Sequence, residues 1–184
     1  NVTYNTVGHC FFLEDGIETG NQYIRNLAIQ TKCHTSKPCD PTNLAPFGAT
    51  AGTNFNTTGQ DSKDVLIPSD NTVSSFWITN PENTYRDNVA AGSDATGFWF
   101  AFPEHPTGKF EGTEISKATW PRRTKLREFK GNVAHSNFDG FMGDRAPQAN
   151  GRFAVGGYIS LVNPADANSA QAESVIEDFT AYKN

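Results

Sequence analysis

Asn88-Val89-Ala90-Ala91-Gly92-Ser93, followed shortly by Gly97-Phe98-Trp99-Phe100, is the stretch whose reading decides the fold. Its opening recurs as Asn1-Val2-Thr3, Asn26-Leu27-Ala28 and Asn132-Val133-Ala134 and, more loosely, as Phe179-Thr180-Ala181. Its closing glycine and aromatics recur as Gly8-His9-Cys10-Phe11-Phe12 and Gly140-Phe141. A repeat of short strand, polar turn and short strand cannot bury its apolar edge alone, so it stacks on its neighbours as a solenoid. The openings lie 25, 62, 44 and 47 residues apart. The first interval suits one coil of a parallel β-helix, and the longer ones read as one coil plus an insertion, or as two coils. Insertions leave such a stack as loops on one face, where binding often happens.

Outward from these phrases, the composition agrees with thin stacked strands. The chain has 184 residues, enough for one domain, and 36% of them are hydrophobic. Its 14 Phe outnumber six Leu and one Met, and such aromatic runs between Gly, Pro and Asn punctuation favour strands over helices. At 168–178, Asn168 offers a helix cap, but the alternation of Val175, Glu177, Phe179 and Ala181 favours a strand. A net charge of −5 gives no electrostatic reason to bind nucleic acid, and no apolar run of 18 residues is present to span a membrane.

Strand-like pattern is interrupted twice, at about 33–74 and 103–124. The first stretch is rich in Pro, Asn, Thr, Gly and Asp, and the second holds Pro103, Pro106 and Pro121. Loops of this length inside a domain tend to be functional. The expectation is therefore an all-β single domain over 1–184, a parallel β-helix with two long loop insertions. Asn1 sits inside a strand phrase and Asn184 follows one, so the domain reads as part of a longer chain. Alternatively, it reads as part of an assembly in which copies cover each other's open ends and associate end to end as a filament.

Cys33-His34-Thr35-Ser36-Lys37-Pro38-Cys39 can close a loop disulfide between Cys33 and Cys39, leaving Cys10 alone. It can also hold free thiols, or supply three ligands of a metal site at a spacing unlike common zinc frameworks. Asn1-Val2-Thr3 and Asn56-Thr57-Thr58 are N-glycosylation acceptors at Asn1 and Asn56, which fits an exported protein.

A longer pattern now joins these phrases: Gly8 through Glu18 with Gly20-Asn21, then Phe76-Trp77-Ile78-Thr79-Asn80-Pro81, then Asn88 through Ser93, Gly97-Phe98-Trp99 and His105-Pro106-Thr107-Gly108. In that order it resembles the parallel β-helix region of the fibrocystin-like and cell-surface hyaluronidase (cell-migration-inducing, hyaluronan-binding) proteins, over about residues 1–140. The resemblance implies a right-handed parallel β-helix, extracellular or cell-surface placement, and association with glycans. Members of that family divide between receptor-like or coat proteins without established chemistry and hyaluronidases. The chain departs from the family pattern in its long 33–74 insertion and in lacking the glycine-rich β-domain that usually precedes the helix.

Four groups of residues carry possible chemistry. Glu14, Asp15 and Glu18 form the densest carboxylate cluster. It suits a calcium ion or general acid work at Glu14, or else a tight Asp15-Gly16 turn whose acids bond to backbone amides or Arg25. His9, His105 and His135 lie near the repeats. His105 reads as the most exposed of them, and His135 as able to converge with Arg86 and Asp87 on one face. By analogy with β-helix enzymes that cut acidic polysaccharides, Asp139, Asp144 and Arg145 are further catalytic candidates. Lys117, Arg122, Arg123, Lys125, Arg127 and Lys130 gather six of the 15 basic side chains beside Trp120. That run suits an anionic sugar chain stacked on the indole and paired with guanidinium forks, or else a solvated basic face. Asn26, Asn88 and Asn132 read as a structural ladder at strand corners, and Phe11, Phe98, Trp99 and Phe141 as core stacks, with Trp77 keeping a partly exposed edge. The functional expectation is a non-catalytic glycan-binding or coat-building module, with a hydrolase or lyase of acidic polysaccharides as the rival.

Overall fold

Each repeated phrase is a short strand that ends at a corner, and the corners are made by residues with left-handed backbone. Just before the Asn-hydrophobic-small phrase stand Arg25, Asp87, Gly131 and Asp178, with φ of 55°, 56°, 65° and 51°. Three residues after its first hydrophobic come Asn5, Gln30, Gly92, Ser136 and Lys183, with φ between 52° and 76°. Only glycine adopts this region without steric cost, so every non-glycine corner must be held by the contacts around it.

The computed structural model describes residues 1–33, 73–143 and 157–184, together with the backbone of strands 145–147 and 153–155. Its strands follow in rotation: β1 (Val2–Val7), β2 (Phe11–Phe12) and β3 (Gln22–Ile24), then β4 (Leu27–Lys32), β5 (Ser74–Ile78) and β6 (Thr84–Arg86). The next round is β7 (Val89–Ala91), β8 (Thr96–Phe100) and β9 (Glu128–Lys130), and the last is β10 (Val133–His135), β11 (Asp139–Met142) and β14 (Ile176–Glu177), closed by β15 (Thr180–Tyr182). Three parallel sheets result, in the orders β1-β4-β7-β10-β15, β2-β5-β8-β11 and β3-β6-β9-β14. A separate antiparallel hairpin pairs β12 (Arg145–Pro147) with β13 (Phe153–Val155). The domain is thus all-β with parallel sheets, as expected, and consistent with a β-helix.

Register follows the repeats. Val2 pairs with Leu27, Leu27 with Val89, Val89 with Val133 and Val133 with Thr180. Asn1, Asn26, Asn88 and Asn132 form the expected ladder: each side-chain Nδ2 donates to the Oδ1 of the next Asn at 2.9 Å. Asn88 and Asn132 also donate to the carbonyls of Tyr23 and Tyr85, so the buried amides are satisfied at the corner. Asn137 and Asn184 repeat the device at 3.0 Å.

The three sheets turn residues of different size into the core. The first sheet turns in small residues, Ala28, Ala90 and Ala134, all fully buried. The second turns in Phe11, Phe76 and Phe98, stacked with centroids 4.7 and 4.6 Å apart, followed in register by Phe141. The third turns in Tyr23, Tyr85 and Phe129. This pairing corrects one alignment made from the phrases: Phe11 sits opposite Phe76, so the partner of Gly97 and Gly140 in the first round is Cys10 rather than Gly8. The glycine of the phrase is needed for close approach, since a Cβ on Gly97 would lie 2.7 Å from the Gly140 carbonyl. Trp77 also departs from expectation. It is 2% exposed, packed with Trp99, Val73, Ala95, Ala101 and Met142 on the second sheet's other face.

The 168–178 stretch forms no helix; Gln171 bridges to Leu161 and a strand begins at Ile176. The α-helix among the described residues is α1 (Glu114–Ala118), inside the segment between β8 and β9. Its cap is Thr113, whose hydroxyl accepts from the Ser116 amide. No helix of the described residues is long and apolar enough to cross a membrane.

Candidate functional site

The segment between β8 and β9 is clamped to the stack by the acidic turn. The Asp15 carbonyl accepts from Thr107 N–H at 3.0 Å and its carboxylate from Lys109 N–H at 3.3 Å. Gly108 lies so close that any Cβ there would overlap the Asp15 carboxylate. Glu18 folds back to accept from the Asp15 and Gly16 amides at 3.4 and 3.1 Å, while Asn80 donates to the Gly16 carbonyl. Burial raises the Asp15 pKa above the ordinary carboxylate value, the Lys109 amide opposes this, and Glu14 and Glu18 add to the rise. The cluster thus makes the backbone-bonding turn. Among the described residues no three His, Cys, Asp or Glu side chains are grouped to hold a metal ion.

The histidines are dispersed. His9 accepts from the Ser74 amide through Nδ1 and packs 4.8 Å from the Trp77 ring. His105 is half-buried, as are His9 and His135. Its Nδ1 faces the carbonyls of Ser116 and Thr119 at 3.1 and 2.9 Å, which places the proton on Nδ1. His135 stacks on Tyr182 at 5.0 Å at the end of β10, whereas Arg86 ends β6 on another sheet, so the anticipated convergence does not occur. Glu14 belongs to the first round of strands and His135 to the fourth. Three strand spacings separate those rounds, about 14 Å, beyond the span of two groups acting on one glycosidic bond. Asp139 lies on β11, half-buried. Asp144 falls outside the described residues, and of Arg145 only the backbone, in β12, is described.

The basic run is brought together but largely occupied. Arg123 pairs with Glu104 and lies 4.4 Å over the Trp120 ring, against which His105 also packs at 3.9 Å. Arg122 turns inward, its Nε donating to the Phe102 carbonyl at 3.3 Å and its Nη2 buried. Lys117 pairs with Glu114. Lys130 bonds Glu177, which raises its pKa, and Arg86 grips Glu128 with two bonds of 2.8 and 2.9 Å, which lowers the Glu128 pKa. Lys125 and Arg127 remain, both exposed and in no ion pair among the described residues.

Residues that sequence reasoning did not single out complete this face. The extended stretch 158–161 docks on the basic segment, Ile159 N–H donating to the Arg122 carbonyl and Leu161 N–H to that of Arg123. Tyr158 donates to the Thr124 carbonyl at 2.8 Å and meets Ser174 Oγ at 2.7 Å. A cleft of about 310 Å³ opens there, lined by Tyr158, Ile159, Ser160, Gln171, Ala172 and Ser174. None of these residues belongs to the repeat, so no periodic signal marked them.

Of the modification candidates, Asn1 commits its side-chain nitrogen to Asn26 in the ladder, the same nitrogen a glycan would occupy. Asn56 and Cys39 lie outside the described residues, and with Cys39 so does the proposed pairing to Cys33.

Comparison with known proteins accords with the architecture. Residues 1–142 match the CEMIP beta-helix family. The whole chain is 34% identical over 199 residues to human cell surface hyaluronidase CEMIP2, of which it spans 14%. It is 33% identical over 197 residues to the mouse cell migration-inducing and hyaluronan-binding protein, again spanning 14% of it. Over 136 residues, 74% of the chain, it is 33% identical to mouse fibrocystin-L, of which it covers 2%.

Proposed function

This chain belongs to the CEMIP β-helix family, and from that premise we propose that it is an extracellular glycan-recognition module built as a right-handed parallel β-helix solenoid. Right-handed crossovers between parallel strands are overwhelmingly preferred, which supports the hand. The observation that carries the recognition reading is the selective freedom of Lys125 and Arg127. Four of the six basic residues in this run are paired or turned inward, and among the described residues Lys125 and Arg127 are the two that are exposed without an ion pair. Names of relatives that speak of hyaluronan point to an acidic polysaccharide as the ligand class.

The test is binding of acidic polysaccharides at several salt concentrations. Affinity should fall as salt rises, and the double variant Lys125→Ala/Arg127→Ala should bind less tightly with a flatter salt dependence. Unchanged affinity in that variant removes the basic face from the account. Shortening of the polysaccharide during incubation, measured by size-exclusion chromatography and lost in Glu14→Gln, would replace recognition with depolymerisation.

A further inference from the structure

We infer that the cleft between residues 158–160 and 171–174 is a saccharide subsite for an uncharged, hydroxyl-rich sugar ring, with Lys125 and Arg127 receiving the carboxylates of adjacent uronates. This rests on the glycan-recognition reading and deepens it. The cleft's polar groups are ordered before any ligand arrives. Tyr158 gives its proton to the Thr124 carbonyl, so Ser174 must give its own to Tyr158, while Ser174 Oγ accepts from Leu126 N–H at 3.0 Å. Ser160 gives its proton to the Ala172 carbonyl at 2.6 Å. All three hydroxyls have thus committed their hydrogens to protein, and what they can still offer is lone pairs. A wall of fixed acceptors selects ligands that bring hydroxyl donors, and a sugar ring is dense in them. The exposed Gln171 amide adds a donor and an acceptor at the rim, and Ile159, 53% exposed, offers an apolar edge to a ring's C–H face.

Among the described residues that line the cleft none is charged, which disfavours a phosphate or an isolated carboxylate as its occupant. Glu173, exposed between Ala172 and Ser174, further disfavours an anion there. Positive charge lies on the adjoining segment instead. Thr124 and Leu126 touch Tyr158 and Ser174 through their backbones, while Lys125 and Arg127, alternating with Leu126, face solvent. A chain that alternates a neutral sugar with a uronate matches this arrangement. The volume, about 310 Å³, sits at the small end of ligand sites and suits a ring or two, not a long buried segment.

The experiment is calorimetric titration of the protein with a hyaluronan tetrasaccharide and with its carboxyl-reduced form. Gln171→Ala, at an exposed position, should weaken both ligands about fivefold, the worth of one hydrogen bond. Ala172→Trp, which fills the cleft, should abolish both. Lys125→Ala/Arg127→Ala should weaken the charged ligand and leave the reduced one unchanged. If Gln171→Ala and a folded Ala172→Trp bind both ligands as the unaltered protein does, while the basic variant still weakens the charged one, the subsite is overturned and the broader reading stands. If the unaltered protein binds neither tetrasaccharide nor long polymer, both fall. Melting curves of each variant establish folding, and Gln171→Ala decides the matter should Ala172→Trp not fold.

Discussion

The stacked rounds of strands and the segment hung outside them solve the burial problem differently. In the stack successive rounds repeat the same demands, through the third round: small residue on one wall, ring on the other two, amide at the corner, left-handed residue before it. Stability there comes from columns, such as Phe11-Phe76-Phe98 and Asn1-Asn26-Asn88-Asn132. The 103–126 segment and the 158–174 arms have no column. They are held by individual hydrogen bonds, from the Lys109 amide to Asp15, from His105 to two carbonyls, from Tyr158 to Thr124. The lesson is a division of labour: repetition supplies a rigid support, and the non-repeating segments are where side chains are released from packing and can meet a ligand.

The sharpest way to break this contrast is to delete a ring from a column. Phe98 is fully buried, stacked on Phe76 and touching Phe129 and Phe179 edge-on. Phe98→Ala should cost about 3–5 kcal/mol in urea unfolding, as for other buried aromatic truncations. Ile115→Ala, on the half-exposed α1, should change stability by less than about 0.5 kcal/mol. Similar losses at the two positions would show the outer segment to be as integral as the stack.

A smaller effect is expected at the corner. Asn88 accepts from the backbone and side chain of Asn26 and donates to Asn132 and to the Tyr23 carbonyl. Removing it leaves buried partners unpaired at about 1–3 kcal/mol for each group fully orphaned, so Asn88→Ala should cost about 2–4 kcal/mol. Asn88→Asp should not rescue it, because the carboxylate cannot donate to the Tyr23 carbonyl. A rescue by Asp would mean that acceptance from Asn26 alone holds the corner, and thermal unfolding of both variants distinguishes the cases.

The same contrast explains what could be read from residues alone. Asn26, Asn88 and Asn132 were legible because a buried corner amide that must donate and accept at once admits few residue types, and Phe98 and Phe141 because a column repeats its ring. The Cys10 position was misaligned to Gly8, since Cys10 and Ser75 occupy the column that Gly97 and Gly140 mark only later. Trp77 looked half-exposed because alternation along a strand implies one wet face, whereas the second sheet buries both. The basic run was visible as composition, but its neutralising partners, Glu104 and Glu177, lie 19 and 47 residues away from Arg123 and Lys130. The cleft was invisible for a similar reason: Tyr158 and Thr124 are 34 residues apart and neither recurs.

The smallest effect probes the joint between the two regions, where Asp15 of the stack's first round holds Lys109 of the outer segment. Its pKa is raised chiefly by burial, so the folded protein binds that proton more tightly than the unfolded chain does. The carboxylate therefore destabilises the fold above its folded pKa, and this cost disappears as pH falls below the unfolded value of about 3.9. Asp15→Asn keeps an oxygen for the Lys109 amide while removing the charge beside Glu14 and Glu18. It should raise the melting temperature at pH 7 by less than about 2 °C, because the group is only partly buried. The gain should vanish near pH 3. Asp15→Ala removes the acceptor as well and should lower the melting temperature at both pH values, since the Lys109 amide loses its partner. If Asp15→Asn instead lowered stability equally at pH 7 and pH 3, the carboxylate's charge would be irrelevant to the joint, and its shape alone would fasten the outer segment to the stack.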